Sequence, residues 1–161
     1  LYTMNLHRFK ASYLILPESR LIIEVITGSI TLDFYTSYEM KMVNDPLYNP
    51  SYDVYVDMRE AIFDGTIDQM EKYAEFILEN IHIIQNRKNA TIINNLHQHS
   101  YTQVFGKFNE LANVPQEFRL FTSPLEAMAW LHIPYSLTQL EEIIQEMKKT
   151  PQYIGLTSTK Y

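Results

Sequence analysis

Residues 52–59 read YDVYVDMR, and this stretch decides the fold. The apolar side chains at its centre predict a short buried strand, which we place at residues 53–57. That strand brings an acid, Asp57, to its carboxyl end, and Arg59 follows two residues later. Ligands of open α/β sheets bind at the carboxyl ends of the strands. We therefore take Asp57 and Arg59 as candidate contacts for a ligand or a protein partner.

Asp57 has three interpretations. As a phosphoacceptor of the receiver type, it would need a pair of acids after the first strand and a lysine after the last, and residues 16–18 and 122–124 supply neither. As an acid at the sheet edge, it would contact a ligand. As a structural acid, which is the interpretation we favour, it pairs with Arg59 or accepts hydrogen bonds from loop amides.

Upstream of this strand the sequence predicts a hairpin and a helix. Strand candidates at residues 12–16 and 21–27 are close enough in sequence to pair as an antiparallel hairpin, and Gly28 is expected to end the second. Thr31 then has the side chain and the position of a helix N-cap.

Downstream, helices and strands alternate. Thr66 and Gln69 have the spacing of a capping box, which predicts a helix from Thr66 onward. Strands are predicted at residues 90–94 and 118–121. Further helices are expected to begin at Ser100, Ser123 and Ser136, each a favourable N-cap residue.

This order predicts an α/β fold. The expected architecture is a mixed sheet of about five strands, with an opening antiparallel hairpin followed by β-α repeats, packed by four helices and a C-terminal helix. We assign residues 1–135 to one domain and residues 136–161 to an amphipathic helix and tail packed on it. A dimer contact is the alternative role of that helix.

Composition excludes several functional classes. The net charge is −6 with no basic stripe, so no nucleic-acid partner is expected. No run approaches the roughly 20 apolar residues of a membrane span, and we expect a cytoplasmic protein. No phosphate-binding or nucleophile motif is present, so no catalytic residue or cofactor is assigned. His97 and His99 lack a third ligand, which favours a polar loop over a metal site.

Four segments resemble the SpoIIAA-like, or STAS, family, in particular its small uncharacterised STAS/SEC14-like bacterial branch. They are residues 13–27, residues 52–59, the helix from Thr66, and residues 118–131, which read FRLFTSPLEAMAWL. The last segment is the most specific, because it combines a strand, a capped helix and the AMAWL ending in one run. The resemblance implies a non-enzymatic regulatory or protein-interaction module.

The chain departs from classical STAS members where their regulation takes place. Anti-anti-sigma factors of that family carry a phosphorylated Ser or Thr in the turn that follows the third strand and opens a helix. Here the strand runs into DMRE at residues 57–60, and the nearest hydroxyl at a helix start is Thr66. Thr66 is therefore a candidate switch position, beside its commoner role as a helix cap.

Three functions follow, in order of preference. The first is a regulatory module with an unknown protein partner, and a homodimer is one expected assembly. The second is a binder of a small apolar ligand or lipid, which the SEC14-like grouping and the Met- and aromatic-rich helix faces favour. The third is an enzyme without a recognisable motif. The side chains behind the second function are Met40, Met42, Met70, Tyr73, Phe76, Phe105 and Phe108.

Overall fold

The structure is a computed structural model, and it describes residues 8–63, 66–94, 96–111 and 113–155, with the backbone alone at 63, 67, 81, 96, 97, 99, 101, 104, 105, 108 and 111. The strands are β1 (Lys10–Leu16), β2 (Leu21–Ile30), β3 (Asp53–Phe63), β4 (Arg87–Ile92), β5 (Gln116–Phe121) and β6 (Tyr153–Ile154). The helices are α1 (Leu32–Val43), α2 (Ile67–Glu79), α3 (Leu96–Leu111), α4 (Pro124–Leu131) and α5 (Leu137–Lys149).

The strands form one mixed sheet in the order β5-β4-β3-β2-β1-β6. β1 and β2 pair antiparallel, and β2 to β5 run parallel, as expected from the hairpin and the β-α repeats. The mixed α/β architecture is thus confirmed, with one strand more than expected. The additional strand, β6, has only two residues and therefore leaves no pattern in the sequence. It pairs antiparallel with β1, and the adjoining Gly155 N–H donates to the Phe9 carbonyl at 2.8 Å.

Gly28 does not end β2, which continues to Ile30. Its φ of 79° lies in the left-handed region, and a Cβ atom at this position would lie 2.0 Å from the Arg8 carbonyl oxygen. The register with β3 also shifts by one residue between Val25 and Thr27. Glycine is needed here because another chain segment approaches the backbone closely within a continuing strand.

Other element boundaries also differ from the sequence predictions. β3 extends six residues beyond Asp57, because Glu60 to Phe63 pair with the extended half of β2. β4 covers residues 87–92 rather than 90–94, β5 begins at Gln116, and α3 begins at Leu96 rather than at Ser100. Neighbouring strands and helices set these limits, which local residue preferences do not reveal.

Four of the five assigned caps agree with the structure, and the fifth, Ser100, lies inside α3. Thr31 and Ser123 accept hydrogen bonds from the backbone N–H three residues later. Thr66 and Ser136 each form a complete capping box with Gln69 and Gln139. Local polar residues therefore place four of the five described helix starts.

Helices cover both sides of the sheet, and the two sides differ in chemistry. On the side we call the α4–α5 face, β2 contributes Leu21, Ile23 and Val25, and α5 packs its fully buried Leu140 and Ile144 against them. On the α1–α3 face, β2 contributes Ile22, Glu24 and Ile26. The apolar stripe of α5 thus faces its own sheet.

Candidate functional site

Asp57 is a buried acid in the middle of β3, at the point where pairing with β4 stops, and not at the end of the strand as the sequence predicted; both of its oxygen atoms are engaged. It is 2% exposed. Its Oδ1 accepts the Arg59 backbone N–H at 2.9 Å and the Arg59 Nε at 3.0 Å. Its Oδ2 accepts Arg59 Nη2 at 2.9 Å. This bidentate geometry makes Asp57 the group that fixes the orientation of the arginine.

Arg59 links the central strand β3 to α5. Its Nη2 also donates to Glu141 at 3.0 Å. Hydrogen bonds to Asp57, followed by those to Glu141, raise the pKa of Arg59 above its ordinary value. The side chains of Arg59 and Glu141 are 25% and 32% exposed, so solvent reaches these two members of the cluster but not Asp57. Contact of Asp57 and Arg59 with a ligand or partner stays a prediction.

Thr66 is exposed at the start of α2, three residues after the end of β3. Its Oγ1 accepts the Gln69 N–H at 3.3 Å, and Gln69 Oε1 accepts the Thr66 N–H at 3.4 Å. The hydroxyl therefore caps the helix while it remains open to solvent.

Positions 97–99 lie in the first turn of α3, so the prediction of a polar loop there is wrong. The side chains of His97 and His99 lie outside the described part of the chain. Gln98 between them is 1% exposed, and its Nε2 donates to the carbonyl oxygens of Met58 and Ala61. Gln98 thus satisfies backbone groups of β3 that the strand ladder leaves open.

A cavity, which the sequence did not reveal, lies between the α1–α3 face and its three helices. Helices and strands enclose about 920 Å³ of space that no protein atom occupies, and this volume includes open solvent at the mouth. Its polar lining includes Glu24, Glu39, Tyr35, Tyr73, Arg87, Asn89, Thr91, Thr102, Asn109 and Gln116. Its apolar lining includes Ile30, Leu32, Met42, Met58, Met70, Ile77, Ile84 and Phe118.

Glu24 is the deepest charged group of this cavity. It stands in the middle of β2 and is 3% exposed. The Tyr38 hydroxyl donates to Oε1 at 3.0 Å, and no described residue donates to Oε2. Burial raises the pKa of Glu24, while the charge of Arg87 and the hydrogen bond from Tyr38 lower it in part.

Glu39 reaches into the same cavity from α1. The Tyr73 hydroxyl donates to its Oε1 at 3.0 Å, whereas its buried Oε2 has no hydrogen-bond partner in the described part of the chain. Burial, and then the charge of Glu24, raise the pKa of Glu39 to about 8. The cavity therefore holds two mutually repelling carboxyl groups, an arrangement typical of functional sites.

Arg87 supplies the opposite charge at the start of β4 and is 8% exposed. Its Nε donates to Gln116 Oε1 at 2.8 Å and its Nη1 to the Tyr48 hydroxyl at 3.0 Å. Among the residues described, its Nη2 has no acceptor, and no carboxylate lies within the 4.0 Å of an ion pair. A gap therefore separates Arg87 from Glu24 and Glu39.

The sequence did carry one signal for this site. Residues 21–26 read LIIEVI, and a carboxylate inside such an apolar strand has to be buried with partners. Arg87 precedes the strand that the sequence predicted at residues 90–94, so no element was predicted there. Its role follows only from the start of β4 and from the packing around it.

No helix in residues 8–155, outside the gaps named above, has the length and apolar character that crossing a bilayer requires. In the same part of the chain, no three His, Cys, Asp or Glu side chains are grouped closely enough to hold a metal ion.

Comparison with known proteins identifies the fold. Neither the family models nor the curated proteins compared with the chain gave a match. A solved structure is similar: an uncharacterised DUF3478 family protein from Shewanella loihica PV-4 with a SpoIIAA-like fold. It is 16% identical with a TM-score of 0.51, and the match covers 76% of this chain and 94% of that one. Identity at this level supports the fold alone, and the chain has a SpoIIAA-like fold.

Proposed function

We propose that the chain is a non-enzymatic regulatory module of the STAS type, which binds a protein partner where β3 ends and α2 begins. The observation that carries the proposal is the exposed Thr66 hydroxyl at the N-cap of the helix that follows β3. In the STAS proteins that the sequence resembles, the regulatory hydroxyl opens the corresponding helix. The SpoIIAA-like fold supports the comparison of these positions.

The surroundings of Thr66 suit a switch. A phosphate on its hydroxyl would lie at the positive end of α2, where backbone N–H groups favour an anion. Ile62 near the end of β3 is 38% exposed and offers apolar contact area to a partner. Asp68 in the first turn of α2 is the nearest acid along the helix and would oppose part of the added charge.

The proposal is tested by affinity capture from the source cells. Thr66→Glu, Thr66→Ala and the wild type serve as baits, and Ser136→Glu is the matched control because Ser136 forms the same capping box on α5. We expect Thr66→Glu to change the amount of a specific captured protein, and Ser136→Glu to leave it unchanged. Equal capture by all four baits contradicts the proposal.

A second candidate function, binding of a small ligand, is favoured by the cavity. Met42, Met70 and Tyr73, three of the side chains that the sequence associated with an apolar ligand, line it. Phe105 and Phe108 lie outside the described side chains. Native mass spectrometry of the purified protein tests this candidate, because a retained small molecule adds a defined mass. A bare mass from cells and after incubation with candidate compounds contradicts it.

A further inference from the structure

We propose that the cavity on the α1–α3 face binds a small zwitterion of the amino-acid class. The ligand's ammonium group lies against Glu24 and Glu39, and its carboxylate lies against Arg87. This inference rests on the second candidate function, that the cavity takes a ligand, and it specifies the chemistry of that ligand.

Three polar atoms around the cavity lack a hydrogen-bond partner among the described residues, and one of them, Glu39 Oε2, is itself fully buried. They are Glu24 Oε2, Glu39 Oε2 and Arg87 Nη2, none of which has a hydrogen bond from or to a described residue. Glu24 and Arg87 are each more than nine-tenths buried. A buried charged group without a partner is costly, so these atoms indicate that something else completes them.

The signs of the three groups select the ligand class. An organic cation would satisfy the two carboxyl groups and leave Arg87 Nη2 open, and an anion would do the reverse. An apolar ligand would leave all three groups without partners and remove their access to water. A molecule with both an ammonium and a carboxylate group satisfies both signs. It also bridges the gap that keeps Arg87 from pairing with the acids.

The protonation of the two acids agrees with a ligand of zero net charge. Glu39 faces Glu24 from β2, Arg87 from β4, Tyr73 from α2 and Tyr35 from its own helix. Burial, and then repulsion by Glu24, raise the pKa of Glu39 to about 8, so the pair retains a proton at neutral pH. The remaining carboxylate charge balances Arg87, so a zwitterion enters without adding net charge to a buried site.

The rest of the lining favours an amino acid with a small apolar side chain. Met58, Met70, Ile77 and Phe118 line the cavity beside the polar groups. They offer apolar contact to a short aliphatic or thioether chain, and methionine side chains adapt to irregular shapes.

The test measures binding of defined probes to the full chain by isothermal titration calorimetry. Glycine, alanine, valine, leucine and methionine are compared first. The amino acid that binds best is then compared with its decarboxylated amine and its deaminated acid; for valine these are isobutylamine and 3-methylbutanoate. We expect each to bind roughly 10-fold to 100-fold more weakly than the amino acid, the usual loss when a charge-assisted hydrogen bond is removed.

Two failures are distinguishable in this experiment. If the amine or the acid binds as tightly as the amino acid, the zwitterion inference is overturned while ligand binding by the cavity stands. If none of the amino acids, amines and acids binds, the inference is overturned, and the second candidate function fails with it only when native mass spectrometry also finds a bare mass.

Variants locate the binding. Glu24→Gln keeps the shape of the side chain and removes its charge, so we expect at least about tenfold weaker binding with folding intact. Glu142→Gln, on the exposed side of α5, is the matched control and should bind as the wild type does. If Glu24→Gln binds the amino acid as tightly as the wild type does, the ligand lies elsewhere and the inference is overturned. Glu24→Gln alone decides this, so Arg87 does not have to be replaced.

Discussion

The two faces of the sheet are both covered by helices, but they bury different kinds of side chain. On the α4–α5 face, the central strands and two helices bring apolar side chains together, with Leu140 and Ile144 fully buried. Cations occur there at the rim, where Lys88 and Arg119 lie over the Trp130 ring at 5.2 Å and 4.8 Å. On the α1–α3 face, charged groups lie inside the packing, around a cavity.

The difference separates stability from binding within one sheet. Apolar burial is the largest favourable contribution to folding, and the α4–α5 face supplies it with no charged group open; in the described part of the chain, the Tyr55 hydroxyl is its buried polar atom without a hydrogen-bond partner. The α1–α3 face buries Glu24 and Arg87 with open hydrogen-bonding atoms, which lowers stability and prepares a site for polar ligands. The α4–α5 face supplies most of the stability, which offsets the cost of the polar groups buried on the α1–α3 face.

The largest effect is expected from truncating the packed face. Leu140→Ala removes a fully buried side chain from a closely packed cluster and should lower the free energy of unfolding by about 3–5 kcal/mol. Met70→Ala, at a 4% exposed residue that lines the cavity, should cost only about 2 kcal/mol because its surroundings can relax into existing space. Urea unfolding of both variants measures the two losses of unfolding free energy, and equal losses would contradict a difference in packing between the two faces.

A smaller effect is expected at the link between β3 and α5. Arg59→Met leaves the buried Asp57 carboxylate without its bidentate partner and should cost about 2–3 kcal/mol in urea unfolding. Asp57→Asn combined with Arg59→Met removes the stranded charge and should recover part of the loss. A double variant no more stable than Arg59→Met would show that the cost lies in lost packing and not in the unpaired acid.

The cavity face should show a dependence on pH that the packed face lacks. Burial raises the pKa of Glu39 to about 8 in the folded chain from an ordinary value of 4.5, so between these values the folded state binds more protons than the unfolded state. The contribution of this group to stability is therefore present at low pH and is lost as the pH rises towards 8.

Glu39→Gln removes the titrating group and therefore the loss of stability as the pH rises towards 8. We expect the variant to gain about 1–2 kcal/mol relative to the wild type between pH 5 and pH 9, measured by urea unfolding at each pH. Glu142→Gln is the control, since this glutamate is exposed on α5. A constant difference between Glu39→Gln and the wild type over this range would mean that Glu39 titrates normally.

The smallest effect is expected at the helix caps. Thr66→Ala and Ser136→Ala each remove a capping-box side chain and should each cost about 1 kcal/mol in thermal unfolding. Similar losses would show that capping alone does not distinguish Thr66. Any selective change in partner capture on substitution of Thr66 would then be a property of its surface.

Much of the fold was readable because local residues specify it. The capping spacings placed the starts of α2, α4 and α5, and the apolar run at residues 52–59 marked the central strand. The failures occur where other chain segments decide. Gly28 was predicted to end a strand, because the sequence does not show that another backbone segment approaches it closely. The second half of β3 forms by pairing with β2, which the sequence does not show either.

The candidate site was harder to predict than the fold. Asp57 was predicted at the end of its strand and Arg59 beyond it, whereas both lie inside β3. Their mutual pairing depends on side-chain geometry, and the contribution of Glu141 depends on how α5 packs. Glu24, Glu39 and Arg87 are 15 to 63 residues apart in sequence and come together only across three elements. Only the isolated carboxylate of Glu24 in an apolar strand indicated them.

The pairing of β6 with β1 determines how the domain connects to any flanking chain. Gly155 donates to the Phe9 carbonyl at 2.8 Å, and Arg8 Nε donates back to the Gly155 carbonyl at 3.0 Å. The backbone therefore enters and leaves the sheet at neighbouring positions. A polypeptide joining these two points needs only a short linker, so the domain suits insertion into a surface loop of another protein, and circular permutation should preserve its sheet.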